Sequence, residues 1–66
     1  MVRTTRAQRE TLKRKCAEQN YTRKLALRPP LTYREFRRTV VSGFGYIMVP
    51  WCGMWVGIEP DGYAHT

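Results

Sequence analysis

The chain has 66 residues and carries 12 Lys and Arg against 5 Asp and Glu, a formal charge of +7. That length holds one domain with a small core, so stability has to come from strong local signals, self-association or a partner. A single histidine, His65, leaves too few titratable groups for an acid–base or nucleophilic centre, and no enzyme activity and no cofactor are expected.

The charge is unevenly spread. Residues 1–28 hold nine cations against Glu10 and Glu18, which accounts for the whole net charge, while residues 29–66 are neutral and rich in aromatics. This divides the chain into a basic helical arm, 1–28, and a helix-plus-hairpin module, 29–66, within one domain overall. Such asymmetry points the first half towards nucleic acid, a ribonucleoprotein, an acidic protein surface or an anionic lipid. The opening residues are basic and polar with no apolar h-region, so no cleavable signal peptide is expected. Cys16 and Cys52 then read as free thiols of a reducing, cytoplasmic compartment (a host cytoplasm if the chain is viral). With His65 they match no zinc-ligand spacing, and no metal site is expected.

Residues 4–20, TTRAQRETLKRKCAEQN, read as a helix. Thr5 and Gln8 fit a capping box, and no Gly or Pro interrupts the good helix formers that follow. The apolar face is thin, with Leu12 and Cys16 one turn apart, so the helix is expected to fray alone and to lie on something when ordered. Arg6, Arg9 and Lys13 form one basic ridge beside Leu12 and Cys16. Residues 21–28, YTRKLALR, fit helix or strand, with helix favoured to about Leu27. Pro29 and Pro30 form a hinge.

In LTYREFRRTVVSG, residues 31–43, Thr32 and Glu35 form a second capping box and Leu31 with Phe36 a hydrophobic staple in the same register. Tyr33, Phe36 and Val40 make the apolar stripe. Arg34, Arg37 and Arg38 make a second basic ridge. Val40 and Val41 fall at the helix end, and Gly43 is placed as its left-handed stop.

Residues 40–58, VVSGFGYIMVPWCGMWVGI, carry no charge and are long enough to cross a bilayer as a helix, with all Lys and Arg on one side. Four glycines and Pro50 argue instead for short strands, Tyr46–Val49 and Met54–Ile58, joined by a turn at Gly53. EPDG at 59–62 is a second turn, with YAHT pairing after it. Both faces of this hairpin are apolar, so a protein partner, a second copy or the first helix must cover the face that the short helix leaves open.

The fold expected is therefore α+β: a basic N-terminal helix, a Pro-Pro hinge, a short capped helix and a C-terminal aromatic β-hairpin. The function expected is binding of nucleic acid, or of an acidic surface on a nucleic-acid machine. Arg6, Arg9, Lys13 and Arg14 are the first candidates for phosphate contacts, and Arg34, Arg37 and Arg38 the second. Tyr46, Trp51 and Trp55 are candidates for a protein interface. Two alternatives compete: a protein-interaction module of the viral or mobile-element accessory type, such as a host-enzyme inhibitor or minor structural subunit, and a single-pass membrane protein spanning 40–58. Membrane association is the disfavoured one.

Overall fold

The computed structural model describes residues 2–66. Helix α1 spans Arg6–Leu25 and a short helix α2 spans Tyr33–Arg37. Strands β1 (Val41–Ser42), β2 (Ile47–Trp51), β3 (Met54–Ile58) and β4 (Ala64–His65) form an antiparallel sheet in that order. The fold is α+β, with a four-stranded meander in place of the two strands and trailing segment expected.

Both helices start where their capping boxes place them. In each, the threonine hydroxyl, Thr5 or Thr32, accepts from the N3 backbone N–H while the N3 side chain accepts from the threonine N–H. Helix α1 ends at Leu25 in a Schellman-type cap. Arg28 N–H donates to Arg23 C=O (2.8 Å) and Leu27 N–H to Lys24 C=O (3.1 Å), with Leu27 in the left-handed region at φ 57°. The linker is not a loose hinge. The Asn20 amide pairs with both backbone groups of Leu31, donating to C=O at 2.9 Å and accepting from N–H at 2.8 Å.

Helix α2 stops earlier than the sequence suggests. Thr39, Val40 and Val41 are consecutive β-branched residues, which suit strands better than helices. Val40 turns into the core, and Val41 pairs with Met48 in β1. Gly43 is therefore not a left-handed helix stop: its φ is not positive, and it closes the β1–β2 turn by donating to Tyr46 C=O at 2.7 Å. Glycine is needed there for space, because an added Cβ would sit 2.7 Å from the Tyr46 ring. At the β2–β3 turn Cys52 (φ 50°) and Gly53 (φ 82°) form the two-residue left-handed pair favoured in tight hairpins.

One core serves the whole chain. Ile47 and Val49 of β2, facing Ile58 and Val56 of β3, are buried with Leu12 and Cys16 of α1, Phe36 of α2, and Val40. The basic first segment thus contributes to the same core as the second, and both helices cover one face of the sheet.

The packing of α1 on the sheet is largely polar. Thr5 Oγ1 donates to Pro60 C=O (2.6 Å), Gln8 Nε2 to Ile58 C=O (3.0 Å) and Thr11 Oγ1 to Gly62 C=O (2.6 Å). Gln8 and Thr11 are buried. Their spacing along one helix side bolts the first half of α1 to the end of β3 and the turn after it. Gly62 permits this approach: it sits at φ 93°, and an added Cβ would lie 2.9 Å from Ala7 C=O.

On the opposite sheet face, Tyr46 and His65 close over Gly57, whose absent Cβ would meet the His65 ring at 2.7 Å. His65 is held in β4 rather than loose at the chain end. Its ring lies edge-on to Tyr46 and alongside Tyr63, with Nε2 3.2 Å from a Glu59 carboxylate oxygen. Val41 and Trp55 remain exposed on that face. Among the described residues no helix is long and apolar enough to cross a membrane, and most of 40–58 lies in strands β1 to β3.

Candidate nucleic-acid interface

Helix α1 presents a row of cations along the flank of its core-contact side, next to Cys16. At about 100° per residue, Arg6, Arg9 and Lys13 fall within a stripe roughly 60° wide. All three are exposed. Arg14 is also exposed but lies roughly 80° round the helix from Arg6, with Glu10 between. It donates to Thr11 Oγ1 at 3.2 Å. Lys24 was not among the sequence candidates. Eighteen residues are five full turns, so it returns to the azimuth of Arg6 and extends the stripe to the helix end.

The second ridge is split. Arg34 and Arg38 are exposed one turn apart, but Arg37 is only 8% exposed. Its Nη2 donates to Val2 C=O and to Thr4 Oγ1 (3.3 Å), pinning the residues ahead of α1 against α2. Arg37 is thus not the surface member of a ridge that its position between Arg34 and Arg38 suggested; it is a structural clamp. Its Nη1 is buried with no hydrogen-bond acceptor among the described residues.

The same segment links the two helices. Arg9 Nη1 donates to Thr4 C=O at 3.0 Å, while Arg37 reaches the Thr4 hydroxyl from the other side. Thr4 therefore lies between a cation of α1 and one of α2. Beside it, Val2, Arg3, Arg37, Arg38, Val40 and Ser42 line an open cleft of about 760 Å³ with no carboxylate in its wall. Arg3 is a further exposed cation that the sequence candidates omitted.

Glu10 borders the α1 stripe, and Glu35 lies on α2 between the turns of Arg34 and Arg38. The Glu35 carboxyl is held below the ordinary value, first by the backbone N–H of Thr32, then by the Thr32 hydroxyl and the charges of Arg23 and Arg38. Cys16, buried in the core, has its thiol pushed up by desolvation. No set of three His, Cys, Asp or Glu side chains among the described residues is placed to hold a metal ion.

The three interface aromatics do not share a surface. Tyr46 packs over Gly43 and His65. Trp51 is half-buried against the core, with Lys15 Nζ 4.7 Å from its ring centre. Trp55 alone is open, at 52% exposure.

The fold and surface define a small α+β scaffold with a two-helix cationic face. No family model, curated protein or solved structure matches this chain.

Proposed function

We propose that the protein binds phosphate-rich nucleic acid through this cationic face, and that it acts by binding rather than by catalysis. The observation that carries the reading is that Thr4, held by Arg9 of α1 and by the clamp Arg37 of α2, sets the α1 stripe beside a cleft lined by Arg3 and Arg38 with no carboxylate. Separate exposed cations are ordinary surface; here they are fixed side by side on a helix bolted to a sheet. Arg6, Arg9 and Lys13 are the principal phosphate contacts, with Arg3, Arg34, Arg38 and Lys24 flanking them. Arg14, off the stripe, contributes less. Arg37 acts indirectly, by holding residues 2–4 in place.

Each phosphate neutralised releases condensed counterions, so affinity for a duplex falls with salt with a slope of about −0.9 per contact. Binding of duplex DNA, duplex RNA and single strands over a salt series tests the reading. Four or five contacts predict a slope of about −4, and a flat salt response refutes it.

The exposure of Trp55 and Val41 on the outer sheet face favours a second reading, a protein contact on that face. It predicts loss of a stoichiometric protein partner on Trp55→Ala, with no effect from Arg6→Gln.

A further inference from the structure

The end of the molecule formed by the last turn of α1 and the β2–β3 turn is unlike the rest of the surface. The two meet there: Gln19, Thr22, Arg23, Ala26, Arg28, Trp51 and Cys52 line one cleft of about 200 Å³ between them. Around this cleft large apolar side chains stand in the open. Leu25 is 69% exposed, Leu27 94% and Met54 53%, with Trp51 in the cleft wall.

Leu27 makes the case sharpest. It occupies the left-handed capping position, where glycine is unstrained and a leucine carries a Cβ penalty. Its side chain also touches almost nothing. The fold gains neither conformation nor packing from a leucine here, which leaves its side chain free to meet something outside the fold.

The charge of this end selects the occupant. Residues 19–34 and 36–58 contain no Asp or Glu, and Lys24 and Arg28 are exposed within the same last turn. A second copy of the chain would bring these cations against each other. Nucleic acid would satisfy the cations but gains nothing from Leu25, Leu27 and Met54. A folded protein partner offers a fixed surface, whereas each of these side chains stands more than half exposed at the rim of a cleft. An anionic bilayer interface meets all three features: it is negative, it is fluid enough to receive separate protruding side chains, and Trp sits well at its headgroup level.

We propose that this end docks peripherally on anionic lipid membranes, inserting Leu25, Leu27 and Met54 to headgroup depth with Lys24 and Arg28 on the lipid phosphates. No segment spans the bilayer. This surface shares only Lys24 with the cationic stripe and stands without the nucleic-acid reading.

The test is co-sedimentation with vesicles of phosphatidylcholine and phosphatidylglycerol at about three to one, with tryptophan emission as a second readout. The wild-type chain is expected to sediment with these vesicles and shift its emission to shorter wavelength, and to stay free with phosphatidylcholine alone. Leu25→Ser with Leu27→Gly should weaken vesicle binding by about tenfold or more while leaving duplex binding unchanged. Lys24→Gln with Arg28→Gln should weaken it similarly. Because Leu27→Gly relieves strain, misfolding does not explain its loss, and an unchanged circular dichroism spectrum verifies this. Three results overturn the proposal: no binding of the wild type to the anionic vesicles, equal binding by the leucine variants, or concentration-dependent dimerisation that those variants abolish.

Discussion

Gln8 offers a substitution in which local and tertiary requirements diverge. At N3 of a capping box, Glu and Gln serve equally, since the side-chain oxygen accepts from the N-cap N–H. In this chain the Gln8 oxygen does that for Thr5 at 2.8 Å, while its nitrogen donates to Ile58 C=O at 3.0 Å from a site only 4% exposed. Gln8→Glu keeps the shape and the cap, and adds a favourable charge at the helix N-terminus worth about 0.3–1 kcal/mol. It also turns the buried donor into a carboxylate facing a carbonyl oxygen. Losing that bond and burying the charge costs about 1–3 kcal/mol or more. The net loss expected is about 2 kcal/mol, which for a domain of this size lowers Tm by roughly 8–16 °C.

The sign of the pH dependence is also fixed. Burial raises the pKa of the introduced carboxyl in the folded state, so the deficit shrinks as pH falls and the protonated acid donates to Ile58 C=O again. Thermal melts of wild type and Gln8→Glu at neutral and mildly acidic pH provide the assay. Equal Tm at neutral pH, or a deficit that widens on acidification, would refute the idea that α1 is fixed to the sheet through this amide.

Asn20→Ala removes both hydrogen bonds to Leu31 and is expected to destabilise by about 2 kcal/mol in denaturant unfolding. Gly62→Ala forces a Cβ against Ala7 C=O at a positive φ, and should lower stability by at least about 2 kcal/mol and loosen the first half of α1 in hydrogen exchange. In the native protein a thiol reagent should modify exposed Cys52 fast, and Cys16, buried and with its thiolate disfavoured, only on unfolding. Because the Glu35 carboxyl is held low in the fold, its contribution is present above the ordinary carboxylate range and is lost as pH falls through its depressed folded value. Melts from neutral to acid pH should therefore show a smaller loss of Tm for Glu35→Gln, which keeps the capping acceptor, than for wild type.

Both helix starts were legible in the sequence because a capping box is written within four residues. The turns at Gly53 and Gly62 were legible for the same reason. What the sequence hid depends on distant partners. Leu12 and Cys16 looked too thin a stripe to hold α1, but the helix is held as much by Thr5, Gln8 and Thr11 reaching strand and turn carbonyls, which hydropathy does not register. Gly43 looked like a helix stop, whereas the Tyr46 ring sets its requirement. Arg37 carries the same local pattern as Arg34 and Arg38, and only the docking of residues 2–4 draws it inward. The same docking places Arg3 beside Arg38 and ties Arg9 to α2 through Thr4, a relation that periodicity along either helix could not reveal. Lys24 and Leu27 were readable in principle, the first from its five-turn spacing to Arg6 and the second from its place at the helix end ahead of the two prolines.

The central claim concerns the stripe formed by Arg6, Arg9 and Lys13. The most direct measurement is the salt dependence of duplex binding, by fluorescence anisotropy, for wild type and for Arg6→Gln/Arg9→Gln/Lys13→Gln. With three phosphate contacts removed, the slope should become shallower by about 3 while the melting temperature stays within a few degrees. A slope unchanged by the triple substitution, in a protein that still folds, would contradict the claim.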